Sequence, residues 1–325
     1  MNKAKPVIIF TELGDGIGYG HFSRCSAIHQ RLKRKNFDAI LVANVRGEYQ
    51  LDNEIIICDW VKNWRKIITN LSPYILVDSY LVSKEILIQI QQKSSKLILL
   101  DDYYRIVESV NLIINPNIYY KSFRYQCASL GGRDFIILRH AFREENCKAL
   151  IKEKVNSVLI TLGGSDYRNL LPEIVQSILT HFPQFNLFVV TGREAHRQKF
   201  KDRFPNNSRL NFYGFLNEDR MKDLMLNCDL AISACGQTLH ELAYLGIPTI
   251  GVSIDKDQEL NLMQYVELGF LDQPRYWDQG GLLASINESI NDYKNIVEKR
   301  ARVSKIGYQN IKANGVDKII EAIFK

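Results

Sequence analysis

A chain of 325 residues, 46% apolar and 24% charged, has the balance of an ordinary globular protein and the length for two domains, each with its own core. No apolar run approaches the roughly 20 residues of a membrane helix, which argues against stable membrane insertion, and MNKAKPVIIF passes into a strand too soon to leave room for a signal peptide. The net charge of +6 suits an anionic ligand and is too diffuse, without a base-stacking motif, to indicate nucleic acid. Six cysteines without a C-x-x-C pair read as reduced thiols of a cytoplasmic protein, not as a disulfide frame or a zinc site.

In chain order, short apolar runs alternate with helical patterns. The first half offers the strands PVIIFTEL, DAILVAN, NEIIICDW, YILVDSY, KLILLDD, LIINPN and DFIILR, with helices from His21 to Lys35 and from Ser83 to Gln92. The basic run RLKRK closes the first of these helices, where cations complement the dipole. The polar stretch Phe142 to Asn156 reads as a linker. The second half offers SVLITLGG, NLFVVTG, RLNFYGF, DLAISACG and TIGVSID, with helices near Leu170 to Thr180, Asp219 to Asn227, Leu239 to Leu245 and Gln258 to Leu268. The last segment, Tyr293 to Lys325, is helical and breaks at NGVD. Strands that are apolar throughout are those of parallel sheets covered on both faces. The expected fold is therefore α/β, two Rossmann-like domains with a cleft between them, at 1–145 and 146–325.

Ligands of open parallel sheets bind beyond the carboxyl ends of strands, so the residues just after each strand carry the functional reading. The first such stretch is TELGDGIGYGHFSRC. It fails the G-x-G-x-x-G test, because Tyr19 or His21 stands where the third glycine belongs, and no G-K-[ST] follows. What remains is a side-chain-free loop, with Gly18 and Gly20 able to lie close to a ligand, leading into a helix start. His21 falls in that first turn, where the dipole disfavours a protonated imidazole, so the ring is expected neutral and fit to act as a general base; packing beneath the loop is the alternative. Arg24, one turn on, could hold a phosphate or carboxylate, or be an ordinary surface arginine. Asp78 and Tyr80, then Asp101 and Asp102, then Asn115 and Asn117 end three further strands, which points to a polar small-molecule site or, separately, to helix caps. Metal binding is not expected, since no second histidine joins these carboxylates.

In the second half, TLGGSD brings Gly163, Gly164 and Ser165 to a strand end. SACGQTLHELAYLGIP runs from Ser233 through Gly236 into a helix whose first amides suit a pyrophosphate. Glu241 follows Thr238 by three residues, which fits a capping box or a carboxylate for ribose hydroxyls. Phe215 could flank a base, and Gln258 and Asn261 could reach a sugar.

Taken in order, GIGYGHFSRC, VDSY, LDDY, IINPN, TLGGSD and LMLNCDLAISACGQTLHELAYLGIP resemble the UDP-sugar hydrolases of the pseudaminic acid pathway and their spore-coat polysaccharide relatives, which are similar to GT-B glycosyltransferases. That resemblance implies metal-independent, inverting hydrolysis of a UDP-linked diacetamido-trideoxyhexose at its anomeric carbon, without a cofactor. His21 would be the base; Gly18, Gly20, Arg24, Asp78, Tyr80, Asp102 and Asn115 would line the sugar side. Gly163, Gly164, Ser165, Phe215, Ser233 and Gln258 would surround the nucleotide, Gly236, Gln237 and Thr238 would hold its pyrophosphate, and Glu241 its ribose. The chain departs from the family at Cys235 and Gln237, where a glycine and a serine are expected, and in the serine at the centre of DSY. Glycosyl transfer to another acceptor, or non-catalytic nucleotide-sugar binding, are the competing expectations; the oligomeric state is left open.

Overall fold

In a computed structural model the described residues are 5–14, 17–47, 49, 51–68, 73–104, 110–143, 147–164, 166–192, 198, 200, 202–205 and 207–325. The chain divides into two compact units, residues 1–140 with 313–325, and residues 141–312. Among the described residues no helix is long and apolar enough to cross a membrane.

The first unit is built on a seven-stranded parallel sheet. Its strands are β1 (Val7–Gly14), β2 (Ala39–Arg46), β3 (Ile56–Ile57), β4 (Tyr74–Val77), β5 (Lys96–Leu100), β6 (Leu112–Asn115) and β7 (Ser129–Gly131), in the order β3-β2-β1-β4-β5-β6-β7. The order turns back on itself between β1 and β4, which pair from Val7↔Tyr74 to Phe10↔Val77. Such a switch point is where an α/β sheet opens a crevice for ligands. Alternation along β1 feeds two cores. Val7, Ile9 and Leu13 pack with Phe22, Ile28 and Leu32 on one face, while Ile8 and Phe10 pack with Trp60, Trp64 and Leu87 on the other. The helices that supply these side chains are α1 (Gly20–Arg34), α2 (Trp60–Ile67) and α3 (Lys84–Gln92). As its composition indicates, α1 ends on Arg31, Lys33 and Arg34.

The second unit carries a five-stranded parallel sheet, β8 (Ser157–Thr161), β9 (Asn186–Val190), β10 (Leu210–Tyr213), β11 (Leu230–Ala234) and β12 (Thr249–Val252), in the order β10-β9-β8-β11-β12. Here the switch point lies between β8 and β11, which pair from Leu230↔Val158 to Ser233↔Thr161. The described helices around it are α4 (Leu171–His181), α5 (Glu218–Asn227), α6 (Gln237–Leu245), α7 (Glu259–Glu267), α8 (Leu282–Asn295) and α9 (Val297–Asn310).

Two expectations need correction. The run DFIILR is not a strand: Arg133–Phe135 form a single 3-10 turn, and Ile136, Ile137 and Leu138 are buried without joining the sheet. A last helix, α10 (Gly315–Phe324), covers them so closely that a Cβ on Gly315 would lie 2.0 Å from the Ile136 carbonyl oxygen. That helix also overturns the division at 145/146. Its Val316, Ile319, Ile320 and Ile323 complete the first unit's core, and Asp317 accepts from Arg31 Nε at 2.8 Å. The chain thus returns to its first unit, because the apolar stripe of α10 has its partners there.

Candidate functional site

The described ends of the glycine loop are tied together. Gly14 and Gly18 form an isolated antiparallel bridge, with Gly18 N–H donating to the Gly14 carbonyl at 2.9 Å. Gly14 has φ +134°, and a Cβ there would stand 2.0 Å from the Arg46 carbonyl oxygen, so no other residue fits. Gly18 and Gly20 face open space. Gly14 and Gly18 are thus tied to each other beside the switch point, while residues 15 and 16 between them lie outside the described residues.

His21 is the second residue of α1 and is 5% exposed. Its Nδ1 lies 2.6 Å from Asp78 Oδ1. Asp78 follows β4 and extends the ladder by donating its N–H to the Phe10 carbonyl at 2.9 Å; the two switch-point strands therefore set the distance between carboxylate and ring. Arg24 Nη2, a donor only, also approaches Nδ1 at 3.2 Å, but the Asp78 carboxylate is nearer and only accepts, so the shorter contact places the proton of the neutral tautomer on Nδ1 and the lone pair on Nε2. Nε2 makes no hydrogen bond among the described residues. The Tyr80 ring stands edge-on to the imidazole, centroids 4.2 Å apart at 86°, and is 37% exposed.

Arg24, Asp78, Asp102 and Asn115 do come together, but they face inward. Arg24 is 8% exposed. It gives Nε to Asp78 Oδ2 at 2.5 Å and Nη2 to Asp78 Oδ1 at 2.7 Å, and pairs Nη1 with Asp102 Oδ2 at 2.7 Å. Asn117 Nδ2 donates to Asp102 Oδ1 at 2.7 Å and to Asn115 Oδ1 at 3.1 Å, and Asn115 is fully buried. Burial alone would raise the Asp78 carboxyl. The Arg24 guanidinium, and after it the His21 ring, overcome that and hold it well below the usual carboxylate range. The charges and amides of these four residues are engaged with one another, and they form the bed beneath His21. Glu12 is a member of this region that sequence reasoning missed. It is fully buried on β1 and bonds Ser79 and Tyr80.

In the second unit, Gly163 (φ +83°) and Gly164 follow β8 and leave open space; Ser165 lies outside the described residues. Gly236 is the N-cap of α6 and, having no side chain, leaves the start of that helix uncapped by its own residue. Phe215, beyond β10, is 61% exposed. Three other expected nucleotide residues are held within the protein. Ser233 is fully buried and donates to the Ala234 carbonyl at 3.0 Å. Glu241 is fully buried. It does not close a capping box, because the N-cap is Gly236 and Thr238 is already inside the helix. Gln258 turns its Oε1 to Cys235 N at 3.1 Å and Ile254 N at 3.3 Å, stapling the β11 and β12 tips together. Among the described residues no group of three or more His, Cys, Asp or Glu side chains is placed to hold a metal ion.

Comparison with known proteins agrees with this architecture. Residues 158–273 match the glycosyltransferase family 28 C-terminal domain. MurG of Acinetobacter baumannii superposes with a TM-score of 0.66 over 99% of each chain, at 12% identity. The fold is GT-B. An uncharacterised protein of Methanocaldococcus jannaschii is 26% identical over 270 residues, 75% of this chain and 54% of its own. The pseudaminic acid cytidylyltransferase and UDP-2,4-diacetamido-2,4,6-trideoxy-β-L-altropyranose hydrolase of Helicobacter pylori is 24% identical over 286 residues, 83% of this chain and 48% of its own. The GT-B chain thus spans about half the length of the curated relatives it matches.

Proposed function

We propose that this GT-B chain is a cytoplasmic, metal-independent hydrolase of a UDP-linked diacetamido-trideoxyhexose, releasing UDP and the free sugar for the synthesis of a pseudaminic-type acid. The observation that carries the reading is the His21–Asp78 pair at the start of α1, 2.6 Å apart, with Nε2 left to accept a proton. The hydrolase named in the Helicobacter relative supports the same assignment.

In this mechanism water gives a proton to His21 Nε2 as its oxygen bonds to the anomeric carbon from the side opposite the nucleotide. The bond from that carbon to the diphosphate oxygen breaks, and its electron pair leaves on UDP with inversion of configuration. Asp78 keeps the ring in the tautomer the step needs and stabilises the imidazolium that forms. The leaving charge is assigned to the amides at the start of α6, Gly236 to Thr238, where dipoles already point at an anion. Phe215, Gly163 and Gly164 are assigned to the rest of the nucleotide. A diphosphate met in this way leaves without a general acid.

Glycosyl transfer is the second reading, favoured by the family 28 match over 158–273; an acceptor hydroxyl would then take the place of water. Turnover of the UDP-sugar in oxygen-18 water separates the two. Hydrolysis places the label in the free sugar, and His21→Ala lowers kcat by about a hundred- to ten-thousandfold. Label in UDP sinks the mechanism, and UDP release that depends on an added saccharide or lipid acceptor transfers the assignment to the second reading.

A further inference from the structure

We propose that Glu12 is a positioning residue of this site: its buried carboxylate locks the turn after β4 and thereby sets the Tyr80 ring against His21. Glu12 lies on β1 beside the switch point and is fully buried. Its Oε2 accepts from Ser79 Oγ at 2.5 Å and its Oε1 from Tyr80 N–H at 2.6 Å. Ser79, also fully buried, uses both lone pairs of the same hydroxyl to accept from Leu81 N at 3.0 Å and Val82 N at 3.2 Å. One carboxylate therefore orders four consecutive residues, and the second of them carries the ring that meets His21 at 4.2 Å. The Tyr103 ring also meets Tyr80, centroids 5.6 Å apart.

The chemistry selects a carboxylate. Two donors converge on Glu12, and a carboxamide has one acceptor oxygen. Given to Tyr80 N–H, that oxygen leaves an NH₂ facing a serine oxygen whose lone pairs are both taken. Given to Ser79, it leaves an NH₂ facing an N–H. Glu12→Gln is nearly the same size, yet it puts a donor against a donor or against a filled acceptor in a sealed place, and such a conflict is relieved by moving the turn.

The catalytic part of this proposal rests on His21 being the base; the geometric part does not, and the test separates them. In the intact chain with ring-labelled histidine, the His21 resonances are identified by their loss in His21→Ala. Glu12→Gln is expected to move them in the direction that Tyr80→Ala moves them, and to move them no further in a Tyr80→Ala background. For activity, Glu12→Gln is expected to lower kcat by roughly ten- to a hundredfold, the scale of an ångström of misplacement, with KM within about twofold and no added effect once Tyr80 is gone. Unmoved His21 resonances in Glu12→Gln, or an undiminished fall in kcat in the Tyr80→Ala background, overturn the proposal. Should Glu12→Gln fail to fold, Glu12→Asp, which keeps both acceptors one methylene short, is held to the same outcomes. Were the wild type to turn over no UDP-sugar at all, the hydrolytic reading would fail while the resonances still decided the role of Glu12.

Discussion

Two acids stand beyond the carboxyl ends of switch-point strands, one in each unit, and they behave in opposite ways. Asp78 follows β4 and is fully buried; Asp166 lies five residues past β8 and is 6% exposed. Burial pushes both carboxyls up. At Asp78 the Arg24 guanidinium and then His21 reverse the shift. Asp166 has the amides of Leu171 and Leu170 to accept from, at 3.1 and 3.0 Å; these oppose burial without matching it, and the carboxyl is pushed up to about 6. Two strand ends flanking the switch points, β4 in one sheet and β8 in the other, thus yield a permanent anion that braces a histidine and a titrating cap at the start of a helix. Position selects the candidate, and the nearest cation decides what it does.

The sharpest way to break the comparison is Asp78→Asn. It leaves His21 without a carboxylate and Arg24 with Asp102 alone, so the first unit should lose about 3–5 kcal/mol at pH 7. The folded carboxyl is depressed, so its contribution is complete above the unfolded carboxylate value of about 3.9 and fades as pH falls below it. In the variant that acid limb should be shallower. Trp60 and Trp64 lie in the first unit, and with Trp277→Phe as background they report its urea unfolding. A loss under about 1 kcal/mol at pH 7 would show that the pair does not brace the unit.

At Asp166 the sign reverses. A raised carboxyl means that the folded state holds the proton where the unfolded chain has released it. Stability should therefore fall as pH rises from about 4 to 6, with a slope no steeper than about 1.4 kcal/mol per pH unit and a total of about 3 kcal/mol, the preference of the two helix amides for the charged form being already contained in that midpoint. Carbon-13 titration of the Asp166 carboxyl should give a midpoint near 6, and exchange protection along α4, corrected for intrinsic rates, should decline over the same window. Asp166→Asn should abolish the decline. A midpoint at or below 4 would make the two acids alike.

How much of this was legible in the sequence follows from how far apart the partners are. Most strands were visible because an apolar run bounded by turn residues carries its own signal, and the glycine loop with His21 behind it lies within a few residues. DFIILR misled because burial under α10 and burial in a sheet leave the same apolar signature; β7 takes the edge instead, from a three-residue segment too short to show. Arg24 looked free for an anion because its partners lie far along the chain, 54 residues away for Asp78. Glu12 was invisible inside an apolar strand, with its two partners 67 and 68 residues on. Thr238 and Glu241 had the spacing of a capping box, but Gly236 reaches the cap first, and only the placement of the turn reveals it.

The mildest contrast lies in helix caps on the two units. Asn217 and Ser83 are both exposed N-caps. Asn217 accepts from Arg220 N at 3.0 Å, whereas Ser83 accepts from Ile86 N at 3.4 Å. With exposure matched, bond length and local charge set the difference. The first turn of α5 also carries Glu218 and Asp219, which persist when the cap is removed and soften the loss there relative to α3 with Glu85 alone, but the shorter bond outweighs this. Asn217→Ala should cost about 1 kcal/mol, and Ser83→Ala about half of that, because a bond already stretched has less to lose. Urea unfolding of the two alanine variants checks the order. If Ser83→Ala cost more, the hydroxyl would owe its worth to its bond with the Glu85 carboxylate and not to the helix amide, and a Glu85→Gln variant should then cancel the excess.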